Sequence, residues 1–92
     1  MALARTVAHT YQIFVSTTET LVLPETTERF NLVIVNPTTD TCYIQLGDNP
    51  MSDVLWTYKL TRGSTVECGS WRGQVKAIFA NTPGTILVTE EI

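Results

Sequence analysis

The sequence predicts an all-β protein, a small antiparallel sandwich or jelly-roll-like barrel of about eight short strands. Three observations predict this fold class. Apolar and polar residues alternate with a period of two along most of the chain, no stretch shows helical periodicity, and turn residues separate the apolar runs at short, regular intervals. At 92 residues the chain has the length of one domain. We divide it into an N-terminal arm at 1–9 and a single sandwich domain at 10–92.

Apolar runs define the strands in chain order. The first strand alternates around Tyr11 and Ile13. A short run at 19–23 ends at Pro24, which suits an edge strand or a strand end because proline has no N–H to donate to the ladder. The third run, 30–35, is apolar on both faces toward its end, which predicts a central strand covered on both sides. The other runs lie at 42–46, 54–60, 65–68, 75–79 and 86–88.

Turn residues join these runs. Asn36-Pro37 suits a type I turn and predicts a β-hairpin across 31–47, at the centre of the fold. Thr61-Arg62-Gly63 predicts a tight reversal with its glycine in the left-handed region. Pro83-Gly84 predicts a type II turn, whose third position needs a positive φ.

Composition limits the partners. Net charge is −3 and the six basic residues are scattered, whereas phosphate binding needs clustered lysine and arginine, so we predict no nucleic-acid partner. No apolar run approaches the roughly 20 residues that span a bilayer, and the N-terminus does not resemble a secretion signal, so we predict no membrane partner and synthesis in a cytoplasm. We expect Arg5, Arg29 and Arg62 to be solvated, with pairing to acidic groups of a neighbouring molecule as the alternative. The charged fraction of 16% is low and predicts that part of the surface is covered in the working state.

The sequence offers no catalytic set. His9 is the only histidine, and no serine or cysteine stands near it in a known motif order, so we predict neither catalytic residues nor an enzyme. In a cytoplasm Cys42 and Cys68 are predicted to be thiols, with a disulfide as the lesser alternative. Two thiols and one histidine do not supply the four ligands of a zinc site. No cofactor is predicted.

The loop 47–53 raises a metal alternative. Asp48, Asn49, Ser52 and Asp53 place oxygen atoms close together in sequence, and calcium binds oxygen ligands. The EF-hand spacing is absent, however, and the same residues are common in turns. The turn interpretation is therefore preferred, and no metal is predicted.

Aromatic side chains are the other candidates. Trp56 is in phase with the apolar residues of its run and is predicted to lie in the core. Trp71 lies in a glycine-flanked corner beside Arg72. It is either an interface anchor, since tryptophan and arginine are enriched in hot spots, or a loop residue folded over an open end of the barrel. The candidate protein-interface residues are Arg5, His9, Met51, Trp71 and Arg72.

Four segments carry a family resemblance. They run from "VIVNPTTDTCYIQLG" (33–47) through "LTRGSTVE" (60–67) and "GQVKAIFA" (73–80) to "LVTE" (87–90). In this order they resemble small β-sandwich virion proteins of tailed bacteriophages, which decorate or cement the head or complete head and tail structures. The resemblance covers roughly residues 30–90 and none of the first 29.

The resemblance implies a function without catalysis. It implies a decoration or cement protein, located in the virion, that forms a homotrimer or another closed oligomer and binds the major capsid protein or another virion protein. A head–tail connector, collar or tail component is the alternative. A second alternative is a carbohydrate-binding module of a virion fibre that uses Tyr58 and Trp71.

Overall fold

The structure is a computed structural model that describes residues 7–92. Across that range the chain forms eight strands and no helix, so the predicted all-β class is confirmed. No helix in this part of the chain is long and apolar enough to cross a membrane. The strands are β1 (Ala8–Val15), β2 (Thr20–Leu23), β3 (Asn31–Val35), β4 (Cys42–Leu46), β5 (Tyr58–Leu60), β6 (Thr65–Gly69), β7 (Val75–Phe79) and β8 (Gly84–Glu91).

The strands form two four-stranded antiparallel sheets. The order is β1-β8-β3-β6 in one, here called the front sheet, and β2-β7-β4-β5 in the other, the back sheet. This is the order that results when one long hairpin, whose strands pair as β1 with β8, β2 with β7, β3 with β6 and β4 with β5, is rolled up on itself. Eight strands in this order make a jelly roll.

The predicted hairpin at 31–47 is wrong. β3 belongs to the front sheet and β4 to the back sheet, so residues 36–41 carry the chain from one sheet to the other. At this crossing the backbone N–H of Thr38 donates to the side-chain Oδ1 of Asn36 at 3.0 Å, whereas no backbone hydrogen bond of the predicted type I turn closes between Asn36 and Thr39. Two apolar strands joined by a turn give the same pattern whether they pair or face each other across a core.

The core lies between the inner faces of the sheets. Leu32 and Ile34 of β3 are fully buried, while Val33 and Val35 on the outer face are half-buried. β3 is therefore central in its sheet, as predicted, but it is covered on one face only. The other buried apolar residues are Val15, Val22, Leu23, Cys42, Ile44, Leu60, Val75, Ala77, Phe79, Ile86 and Val88.

Two predicted boundaries shift. β1 begins at Ala8, so His9 is a strand residue paired with Glu90 and not part of an arm. The rest of the predicted arm, including Arg5, lies outside the described residues except Val7. The predicted fifth strand at 54–60 forms only at Tyr58–Leu60. Its first half belongs to the loop that precedes β5.

The two glycine turns have different outcomes. Gly63 has a φ of 70°, which confirms the left-handed reversal. Gly84 does not have a positive φ, so the type II turn at Pro83-Gly84 is wrong. Gly84 instead opens β8, where a Cβ atom would lie 3.2 Å from Thr38 and 3.3 Å from Phe79. Close packing, rather than backbone conformation, therefore favours glycine at this position.

Arg29 is fully buried, which overturns the prediction that it is solvated. Its Nε lies 2.7 Å from Oε2 of Glu90, and its remaining nitrogens donate to the carbonyl oxygens of Pro24, Trp71 and Gly73. One guanidinium thus joins the β2–β3 connection, the β6–β7 corner and β8. Arg62, by contrast, is exposed as predicted.

The two cysteines are free thiols in different sheets. Cys42 is buried in β4, and Cys68 is half-buried in β6. Burial raises the pKa of Cys42 to about 12 and that of Cys68 to about 11, so both thiols stay protonated at neutral pH.

Candidate functional site

The β4–β5 loop, residues 47–57, folds back over the outer face of the back sheet. Lys76 points outward from β7 but is only 5% exposed, because its ammonium lies under the loop. Its Nζ donates to the carbonyl oxygen of Asp48 at 3.2 Å and to that of Asn49 at 2.7 Å. The loop is thereby fastened to a central strand of the sheet.

Glu19 completes this attachment. One carboxylate oxygen lies 3.1 Å from Nζ of Lys76, and the other accepts the backbone N–H of Met51 at 3.1 Å. The Met51 N–H first, and then the hydrogen bond from Lys76, lower the pKa of Glu19 below its ordinary value. The three groups form what we call the lysine latch: Lys76, Glu19 and the loop backbone at 48–51.

The latch occupies the loop for which calcium was the alternative. Two of the loop's carbonyl oxygens already bind an ammonium group, which supplies the positive charge that a metal ion would bring. Among residues 7–92 there is no group of three or more histidine, cysteine, aspartate or glutamate residues placed to hold a metal ion.

The latched loop presents apolar side chains to solvent. Val54 is 84% exposed, Leu55 56% and Trp56 38%. Trp56 was predicted to lie in the core, and this is wrong: its ring lies outside the back sheet, 5.5 Å from the ring of Tyr43. Leu21, 53% exposed, is on the same outer face, opposite Lys76 in the β2–β7 register. We call the loop residues Val54, Leu55 and Trp56 the apolar tip.

The predicted interface residues are dispersed. Met51 lies in the latched loop, next to the apolar tip, whereas His9 is in β1 and Trp71 and Arg72 are in the β6–β7 corner. Arg5 lies outside the described residues. These residues therefore belong to different elements of the fold, and a role for each of them in a contact stays a prediction.

Trp71 folds back onto the protein. It packs against the core, and its Nε1 donates to the carbonyl oxygen of Gln74 at 3.1 Å. A Cβ at Gly73 would lie 2.4 Å from the indole ring, so a larger residue at this position requires the ring to shift. Nε of Arg72 donates to the carbonyl oxygen of Arg29 at 2.7 Å. The ring of Trp71 thus folds back onto the core, and its role as an interface anchor stays a prediction.

Two depressions adjoin these features. A groove of about 450 Å³ lies between β1 and the β2–β3 connection, with the Arg29–Glu90 ion pair in its wall. A smaller one of about 210 Å³ lies beside Trp71 and includes Glu25, Asp48 and Gln74. Tyr58 does not line it and packs against the core instead. The two aromatic residues predicted for sugar binding thus do not meet there.

Removing the latch should release the loop. We expect Lys76→Met to lower the free energy of unfolding by about 1–3 kcal/mol, because the carbonyl oxygens of Asp48 and Asn49 lose their charged donor. Amide hydrogen exchange across 48–56 should accelerate as well. Lys59→Met is the matched control, since Lys59 is an exposed lysine on the outer face of the same sheet, and it should change stability by no more than about 0.5 kcal/mol. Equal losses in urea denaturation would contradict the latch.

Comparison with known proteins finds no matching family model, no matching curated protein and no matching solved structure.

Proposed function

We propose that this chain is a structural protein of a tailed-bacteriophage virion, of the decoration or cement kind, which binds the assembled head and stabilises it. The apolar tip is the observation that carries the proposal. Three consecutive apolar side chains at 54–56 project from a loop that is fastened to the sheet by an ionic latch. Exposed apolar patches of this kind mark sites that contact other molecules.

The energetics favour a partner at the tip. Apolar area removed from water contributes roughly 25 cal/mol per Å², and Val54 and Leu55 leave most of theirs exposed. Binding also costs conformational entropy when a loop must be ordered. The latch orders this loop in advance, so less of the contact energy is lost when a partner binds.

The architecture supports the same proposal. Jelly rolls are among the folds on which viral capsid domains are built, and the strand order here is that of a jelly roll. A fold alone does not define a function, so the support lies in its combination with the segments at 33–47 and 73–80 that resemble phage virion proteins. A protein that binds the assembled shell more tightly than its free subunits stabilises the shell by mass action.

Quantitative mass spectrometry of purified virions tests the proposal. We expect the protein in the particle at a copy number comparable to that of the major capsid protein, and heads lacking it should open at a lower temperature. A few copies per particle would identify a connector, collar or tail component instead. Absence from the particle would overturn the proposal.

A second prediction concerns the effect of substitutions in the apolar tip on binding to heads. The double variant Val54→Ser and Leu55→Ser should bind heads at least tenfold more weakly, about 1.4 kcal/mol or more, while its urea midpoint stays unchanged because both side chains are exposed. Phe30→Ser removes an exposed aromatic ring away from the loop and should leave binding unchanged. Undiminished binding of the double variant in a co-sedimentation assay would exclude the tip.

A further inference from the structure

The four edge strands of the two sheets differ in how they are protected. Native edges avoid uncontrolled pairing through short length, charges, proline or bulges. β2 has four residues and a register shift, β5 has three residues including a lysine, and β6 has a glutamate and a register shift. β1 has none of these devices. It runs for eight residues in unbroken register with β8 and contains no lysine, arginine, aspartate, glutamate or proline.

The hydrogen-bond phase of β1 shows which groups face the open edge. Val7 and Ile92 exchange both backbone hydrogen bonds at 3.0 Å. In an antiparallel pair such residues alternate with residues whose backbone groups point away from the partner. The N–H and C=O groups of Ala8, Thr10, Gln12 and Phe14 therefore point away from β8. Within residues 7–92 no backbone group pairs with them.

We propose that β1 is a dimerisation edge that pairs antiparallel with β1 of a second copy of this chain, with Tyr11 on the two-fold axis. This register places Ala8 opposite Phe14 of the second copy and Thr10 opposite its Gln12. In this register the four residues of each strand whose N–H and C=O groups point to the open edge all form hydrogen-bonded pairs with the second copy. A shift by two residues in either direction leaves Ala8 or Phe14 without a partner from β1.

The side chains of β1 are compatible with those of β1 in the second copy. Like charges directly opposite each other destabilise a ladder, and β1 brings none to the two-fold axis. On the outer face, the large Phe14, 65% exposed, meets the small Ala8 of the second copy. On the inner face, His9 meets Ile13 and the two Tyr11 rings face each other. Burial and the nearby Glu90 carboxylate raise the pKa of Tyr11, so these rings stay neutral.

The groove beside β1 also fits the proposed pairing of two β1 strands. Tyr11 and Ile13 form part of its wall, so the inner face of the second β1 would extend that wall along the edge. The pairing joins two front sheets into one of eight strands and uses the same patch on both copies, as two-fold interfaces do. It does not depend on the virion role, since it concerns the isolated protein.

The mass of the purified protein in solution is the first test. Sedimentation analysis should give twice the 10.2 kDa of one chain. Tyr11→Lys and Tyr11→Glu each place like charges face to face and should halve the mass, while a one-to-one mixture of the two variants should restore the dimer. Val54→Lys, a control on the apolar tip, should remain dimeric. A wild-type monomer, a trimer or a mixture that stays monomeric would overturn the proposal.

Disulfide trapping tests the register. Residues on the axis of a non-hydrogen-bonded pair have Cα atoms about 4.5 Å apart, within reach of a disulfide. Tyr11→Cys should therefore crosslink two chains under mild oxidation. Gln12→Cys should not, because its counterpart lies diagonally across the ladder, and this variant also controls for oxidation at Cys42 and Cys68. Crosslinking of Gln12→Cys in preference to Tyr11→Cys would exclude the register.

Discussion

Replacing Arg29 with methionine is expected to lower the free energy of unfolding by about 3–5 kcal/mol, the usual cost of removing one partner from a buried ion pair. The guanidinium is fully buried and lies 2.7 Å from the Glu90 carboxylate, which is itself largely buried. Its loss leaves that carboxylate without its cation. It also removes the donor for carbonyl oxygens in two separate connections, at Pro24 and at Trp71.

Urea denaturation of matched variants measures this effect. Arg62→Met removes an exposed arginine and should change stability by no more than about 0.5 kcal/mol. The double variant Arg29→Met and Glu90→Leu should recover part of the loss, because no uncompensated carboxylate remains, and the double-mutant cycle gives the coupling energy of the pair. An Arg29→Met variant as stable as Arg62→Met would show that the buried network contributes nothing.

Period-two alternation was sufficient to predict most of the fold. Inward-facing residues such as Ile34, Ile44 and Val88 alternate with polar or half-buried neighbours, and each lies in the core where the pattern placed it. Alternation reports which face of a strand is buried and says nothing about which strand lies beside it. For that reason the residues around Asn36 were predicted to form the turn of a hairpin. In the structure they connect the two sheets instead.

The buried charges could not be predicted because alternation does not report what covers an outward face. Lys76 is in the solvent-facing phase of β7 and is buried only because a loop from elsewhere in the chain lies over it. Arg29 precedes its strand, where no periodicity applies. The apolar tip had a sequence signal in its three consecutive apolar residues after Asp53, but the same signal extends into Tyr58–Leu60 and was assigned to one long strand.

The largest expected effect outside the ion pair is at Asn36, whose fully buried side chain holds the crossing between the sheets. Its Nδ2 donates to the carbonyl oxygens of Asp40 at 2.7 Å and Leu60 at 2.9 Å, and its Oδ1 accepts from both the backbone and the hydroxyl of Thr38. Asn36→Ala should lower the free energy of unfolding by about 2–4 kcal/mol, because two carbonyl oxygens and an N–H lose their partner where water does not replace it.

Asn36→Asp separates the two halves of this network. A carboxylate can still accept from Thr38, but it turns an acceptor toward the carbonyl oxygens of Asp40 and Leu60 and buries a charge beside them. We therefore expect it to destabilise the protein at least as much as alanine at pH 7. Asn81→Ala, which removes an exposed amide bound to Asp40, should cost no more than about 1 kcal/mol. If Asn36→Asp were as stable as the wild type in urea, the donors to the two carbonyl oxygens would not hold the crossing, and the turn at Thr38 alone would direct the chain from the front sheet to the back sheet.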